Sequence, residues 1–275
     1  TVTSVTSVFT MLALVCLWVV VQLLWLGNVA QQRDQDLLYR EFRTQVASGT
    51  APVGPVTEPG EPVALLRIPA LGVEQVVIEG TASGDLLAGP GHLRSSVLPG
   101  QLGSSVVMGR AATYGAPFAD LTSLVPGDTL EVVIAQGTVR FTVLDVRRTG
   151  DPFPQPRAAD AARLTLVTAE GDGRLSGLSP DEAVYVDAEA TRGAFPAPAG
   201  LPRVAPASEQ VMASDTAALP LLTVCLAALL GLTLLVVAAR QRWSAVLVWI
   251  VAAPVAIALA WATTEVGVRL LPNLL

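Results

Sequence analysis

The chain has 275 residues, 52% hydrophobic and 15% charged, with a net charge of −6 and a mean hydropathy of +0.55. A soluble domain carries roughly 25% charged residues, so this apolar excess calls for a place outside a soluble core. The acidic balance leaves no basic stripe to neutralise phosphates, which excludes nucleic acid as a partner.

An uncharged stretch from Val8 to Leu26 comes first. At 1.5 Å per residue it is long enough for a hydrocarbon core of about 30 Å. The flanking "TVTSVTS" and "WLGNVAQQ" supply neither a basic leader nor a clean cleavage site, so an uncleaved membrane helix is expected within residues 1–30. Residues 31–62 read as a juxtamembrane helix and linker: Leu37, Leu38 and Phe42 give modest helical periodicity up to Gly49, and Thr50 to Pro62 is rich in Pro and Gly.

From residue 63 to 191 the apolar period is two. Strands are predicted at Val63–Pro69, Val73–Glu79, Ser104–Arg110, Thr129–Ala135, Thr138–Thr149, Arg163–Ala169 and Ala183–Ala190, with a short helix over Gly115–Leu124. Seven or eight short strands and almost no helix point to a closed barrel or sandwich. Residues 192–216, rich in Pro and Ala, read as a second linker.

Residues 217–265 form a predicted transmembrane hairpin, Ala217–Ala239 and Ala245–Thr264, joined by the turn Arg240–Ser244. Arg240 and Arg242 are the only charges in that turn, and the bias of short loops places them in the cytoplasm. The 63–191 domain and the tail 266–275 then face outside. No ionisable residue lies deep in a span, which argues against a transporter. Ala227, Ala228 and Gly231 offer a small-residue face for a partner helix.

"IPALGVEQVVIEGT", "GPGHLRSSVLPGQLGSSVVMGR", "YGAPFADLTSLVPGDTLEVV" and "LTLVTAEG" resemble, in this order, segments of the sortases, the membrane-anchored cysteine transpeptidases of Gram-positive surfaces. The likeness is strongest to sortase-like proteins of actinobacteria. It implies a membrane protein with an all-β sortase-like closed barrel outside the membrane, here carried on three transmembrane α-helices. It also implies a groove holding a histidine, a cysteine and an arginine. Those positions carry Arg110 after Gly109, Ala169 at the end of "TLVTA", and Ala183 at the start of "AVYVDAEA", with Arg174 as a loop substitute for the arginine. Both cysteines, Cys16 and Cys225, lie in predicted spans, so no thioacyl intermediate is expected in the barrel. The expectation is a catalytically degenerate member that recognises or assembles with other membrane or cell-surface proteins, in contact with the lipid bilayer.

Other site readings stay open at this stage. His92, the only histidine, could serve as a base for Ser95, Ser96 or Thr168 in a residual hydrolase or transpeptidase, or could be a loop histidine that satisfies backbone groups. Arg110 could pair with Glu170 or Asp172, or bind a partner's carboxylate. Tyr114, Phe118, Arg174 and Gly231 complete the candidate partner-binding set, Tyr114 and Phe118 reading also as core or rim aromatics. No metal is expected, since the domain has one histidine and no cysteine. Nor is a small-molecule cofactor, because "LAGPGHL" is followed by no phosphate-binding helix.

Overall fold

The computed structural model describes residues 16–54, 56–171, 182–202 and 204–275. Eight strands close into a barrel: β1 (Pro62–Ile68), β2 (Val73–Glu79), β3 (Gly91–His92), β4 (Gly103–Met108), β5 (Thr129–Ile134), β6 (Gly137–Arg148), β7 (Ala162–Glu170) and β8 (Glu182–Ala190). Their order around the barrel is β1-β2-β3-β4-β7-β8-β6-β5, and β5 pairs back onto β1. Closure leaves no open strand edge. The β2–β3 and β4–β7 pairs are parallel and the others antiparallel.

All seven predicted strands are present within two residues at each end. Alternation explains this best in β6, where Val139, Phe141 and Val143 are buried while Arg140, Thr142 and Leu144 are exposed. The eighth, β3, has two residues, too few to show any period. It reaches β2 because residue 91 is glycine: a Cβ there would lie 2.0 Å from the Gly80 carbonyl oxygen. His92, read as a loop residue, is therefore a strand residue.

The predicted helix over Gly115–Leu124 is corrected to a series of turns with one short 3-10 turn at Leu121–Ser123. Tyr114 and Ala116 adopt φ of 50° and 42°, which a right-handed helix does not accommodate. The Phe118 N–H donates to the Arg110 carbonyl (3.1 Å), turning the Phe118 ring into the core beside Leu66, Ile68, Leu130 and Phe141.

Helix α1 (Gly27–Ser48) follows a π-helical turn at Gln22–Leu26, and the helical run is continuous from Cys16. Its carboxyl end stops at Gly49 in the left-handed region. Helix α1 lies on the barrel. Phe42 packs with Leu65 and Val76, so β1 is buried on both faces and "VALLRI" loses its polar alternation. The Gln35 side chain accepts from Val76 N–H (2.7 Å) and donates to the carbonyls of Val76 (3.1 Å) and Ala88 (2.9 Å).

The predicted linker 192–216 is also corrected, because it is held along the barrel. Leu102 N–H donates to the Phe195 carbonyl (2.7 Å), Phe195 packs against the core, and the buried Glu209 carboxylate pairs with Arg94. Helices α2 (Leu219–Arg240) and α3 (Ala245–Val268) form the hairpin. The segments Thr216–Arg240 and Val246–Val268 are long and apolar enough to cross a membrane, with mean hydropathy 2.7 and 2.2. Of the three membrane helices expected, two thus have apolar helices of sufficient length; the remaining one, Val8–Leu26, lies partly outside the described residues, which begin at Cys16. Where it is described, Trp18 Nε1 donates to Thr264 Oγ1 of α3 (3.0 Å).

Candidate functional site

Three neighbouring strands bring the predicted site together. β4 and β7 run parallel with Met108 beside Val167, and Gly109 N–H donates to the Val167 carbonyl (3.0 Å). β7 and β8 run antiparallel with Ala169 directly opposite Ala183. Arg110, Ala169 and Ala183 therefore gather at one end of the β4-β7-β8 sheet, although more than seventy positions separate the first from the last. Arg174 and Asp172 lie outside the described residues.

Arg110 is fully buried. Its Nη1 donates to Thr113 Oγ1 (3.0 Å) and to the Leu275 main-chain oxygen (2.9 Å), and its Nη2 to the Ser83 carbonyl (2.8 Å) and Oγ (2.9 Å). This corrects the expected pairing with Glu170, which instead binds Arg148 (2.8 Å), and removes Arg110 from any free surface. Burial pulls the Arg110 pKa down to about 10, with the neighbouring Tyr114 opposing, and the group stays cationic at neutral pH.

Tyr114 and Phe118 are corrected as partner contacts, for both are buried within the chain. The Tyr114 ring lies 5.5 Å from the Arg110 guanidinium and passes over Gly27 of α1, where an added Cβ would stand 3.2 Å from ring carbons. Burial raises the Tyr114 pKa, with Glu265 adding to it and Arg110 opposing. Gly231 keeps its place on an open face, since a Cβ there would meet nothing within 4 Å.

Residues 273–275 pack at this end of the sheet. Leu274 is in one buried cluster with Leu86, Met108, Val167, Ala169 and Ala183. Ala111 N–H donates to the Leu274 carbonyl (2.9 Å), and Thr113 Oγ1 donates to the Leu275 oxygen. Ser83, Thr113, Asn273, Leu274 and Leu275 were not legible as site residues. They come from the β2–β3 loop, the segment after β4 and the far end of the chain, and no local pattern links them.

His92 sits in a separate niche with room for about one water, a cavity of roughly 10 Å³ lined by Glu79, Ser96 and Gln101 among others. Its Nδ1 faces Glu79 Oε2 at 2.9 Å, and its Nε2 faces Val97 O at 2.8 Å and Ser96 Oγ at 3.0 Å. A carbonyl only accepts, so Nε2 carries a proton and cannot take one from Ser96. Ser96 Oγ donates to Leu93 O (2.8 Å) and accepts from Val106 N–H (3.1 Å). Thr168 Oγ1 donates to Phe118 O (3.2 Å). Among the described residues no three His, Cys, Asp or Glu side chains gather in a metal-binding group.

A family model described as the sortase domain matches residues 66–189. Sortase D of Bacillus subtilis (strain 168) is 27% identical over 121 residues, 44% of this chain and 59% of that one, so the chain matches about three fifths of the length of this curated relative. A sortase D5 transpeptidase of Clostridium perfringens is similar over 57% of this chain and 98% of its own, at 18% identity and a TM-score of 0.47. Sortase C-1 of Actinomyces oris is similar over 56% and 98%, at 24% identity and a TM-score of 0.41. The sortase-domain match falls on the closed eight-stranded barrel, and over that segment the chain is similar to the sortases.

Proposed function

We propose that this chain is a sortase-family pseudoenzyme that acts as a non-covalent recognition or assembly subunit of a cell-envelope membrane complex. The observation that carries the reading is the Ala169–Ala183 pair, buried in one cluster with Leu274. Sortase transpeptidation needs a thiolate to attack a peptide carbonyl and a base to carry its proton. Alanine supplies no nucleophile, no cysteine occurs between residues 63 and 191, and a cationic Arg110 cannot accept a proton. On this reading the barrel faces outside the plasma membrane, the Arg240–Ser244 turn faces the cytoplasm, and the Gly231 face of α2 meets other membrane proteins.

A second reading, a hydrolase or transpeptidase using Ser96 and His92, draws on the Glu79–His92–Ser96 chain of contacts. The Val97 carbonyl on Nε2 and the near-absence of space count against it. Purified full-length protein in mild detergent, given sortase-type peptides and a small ester, should show no turnover, while its partners co-purify. Turnover lost in Ser96→Ala would establish the second reading and end the first.

A further inference from the structure

Helices that meet in an apolar setting close up through their small residues, because packing is what holds them together. Here the small residues line a gap instead. Between the helical run from Cys16, α2 and α3 lies a cavity of about 600 Å³, and Ala260, Thr263 and Gly267 of α3 form one wall of it. A Cβ added at Gly267 would meet nothing within 4 Å. Trp18 and Leu23 line the cavity from the first helical run, and Leu226 from α2. The polar atoms of the lining are already satisfied inside the chain. Trp18 Nε1 donates to Thr264 Oγ1 (3.0 Å), and the Thr263 and Thr264 hydroxyls donate to the carbonyls of Leu259 (2.6 Å) and Ala260 (2.8 Å). The space therefore calls for an apolar filler and offers water no partners.

Size decides what that filler is. An α-helix with its side chains is about 10 Å across, so a cavity of this volume holds only about 8 Å of its length, under two turns. It suits a single slender chain. In a bilayer the material of that shape is a lipid acyl chain.

Charge appears at the barrel end. Arg269 directly follows Gly267 and Val268, which both line the cavity. It is half-buried and packs over Gly84 of the β2–β3 loop, where an added Cβ would stand 3.5 Å from the arginine side chain. Its Nε is buried without a hydrogen-bond partner, and no ion pair among the described residues includes it. A cation in that state favours an anionic oxygen beside it. Glu265, four residues earlier on α3, is in no ion pair either, and Asp85 lies within the field of Arg269. Two carboxylates near one guanidinium favour an anion of a single charge, a phosphodiester, over a phosphomonoester that carries nearly two.

We infer that this cavity is a phospholipid site: one acyl chain fills the space between the first helical run, α2 and α3, and the phosphodiester is held by Arg269. The inference rests on the reading that these helices lie in a membrane with the barrel outside, which sets Arg269 at the level of the outer headgroups. The Arg269 carbonyl accepts from Asp215 N–H (2.9 Å), so the lipid sits at the joint between α3 and the strap that leads into α2. A bound lipid braces that joint.

The test uses full-length protein, purified in mild detergent and stripped of lipid, with dioleoyl phosphatidylglycerol as the probe and native mass spectrometry as the readout. Wild type should retain one lipid per chain. Gly267→Phe places a ring in the cavity and should weaken binding roughly tenfold. Ala260→Leu narrows the same space and serves if the phenylalanine variant does not fold. Arg269→Gln should weaken binding about fivefold. Val224→Phe adds the same ring at an exposed position of α2 that does not line the cavity, and should change nothing. Dioleoylglycerol, which lacks the phosphate, should bind wild type no better than it binds Arg269→Gln. Equal lipid retention by wild type and the folded cavity variants, or an Arg269→Gln variant that binds the phospholipid as wild type does, would overturn the inference. An alkaline carbonate wash of the source membranes tests the reading beneath it. Protein released by the wash would overturn both, whereas protein that stays in the membrane and retains no lipid would overturn the inference alone.

Discussion

Arg110 is fully buried, and its surroundings fix what its charge can do. A histidine there would exchange a proton near neutral pH, whereas the arginine holds a permanent charge against main-chain and hydroxyl oxygens. A second residue beside this groove does titrate. Burial raises the Asp85 pKa to about 6 from 3.8; Glu209 adds to the rise, and the Ala82 N–H, Arg94 and Arg269 oppose it. The folded state therefore holds the Asp85 proton more tightly than the unfolded chain between pH 3.8 and about 6. Its effect on stability is most favourable at the acid end of that window and is lost as pH rises through about 6. Asp85→Asn should raise the melting temperature at pH 7.5 and flatten the decline between pH 4 and 6, measured by scanning fluorimetry in detergent. At Gly91 the constraint is steric. Alanine there would press a methyl group on the Gly80 carbonyl, backbone that cannot swing aside, and should cost about 3 kcal/mol on a denaturant curve.

Helix α1 shows how an element can be part of the domain without belonging to its sheet. Phe42 closes the outer face of β1, and Gln35 satisfies the backbone of Val76. Phe42→Ala removes a buried ring and should weaken the docking of α1 by about 3 kcal/mol. The expected readout is rapid proteolysis between residues 31 and 49 while the barrel stays resistant. Unchanged protease resistance would show that the Phe42 contact does not hold α1 on the barrel. Helix α2 is the opposite case, with Leu230, Leu234 and Leu235 exposed and Gly231 open to its surroundings. Gly231→Leu should leave the melting temperature unchanged and reduce the yield of co-purifying membrane proteins. Full recovery of the same proteins would locate recognition elsewhere.

Across the whole molecule, the barrel, the strap before α2 and the tail after α3 are joined by hydrogen bonds at Thr81, Ser83, Asp215 and Asn273. The hairpin is thus fastened to the domain at both of its ends nearest the barrel. Single cysteines at Ala159 and Ser244, in a background without Cys16 and Cys225, should differ in labelling of intact cells by an impermeant maleimide. The barrel position reacts and the turn position does not. The opposite pattern would invert the topology.

The strands were legible because each carries its period in consecutive residues: Val139, Phe141 and Val143 point inward whatever surrounds them. The apolar helical hairpin was legible for the same local reason, through length and hydropathy. Arg110, Ala169 and Ala183 were singled out by the motifs around them. Tertiary structure alone decided what those residues face. Strand β3 exists only because Gly80 and Gly91 allow close approach, α1 covers β1 through one phenylalanine, and the Pro-rich strap is held by side chains far along the chain. Leu274 shares one buried cluster with Ala169 across more than a hundred positions, a grouping written in no local pattern. Hydrophobic period reports which face of a segment avoids water, and it is silent on which distant segment covers that face.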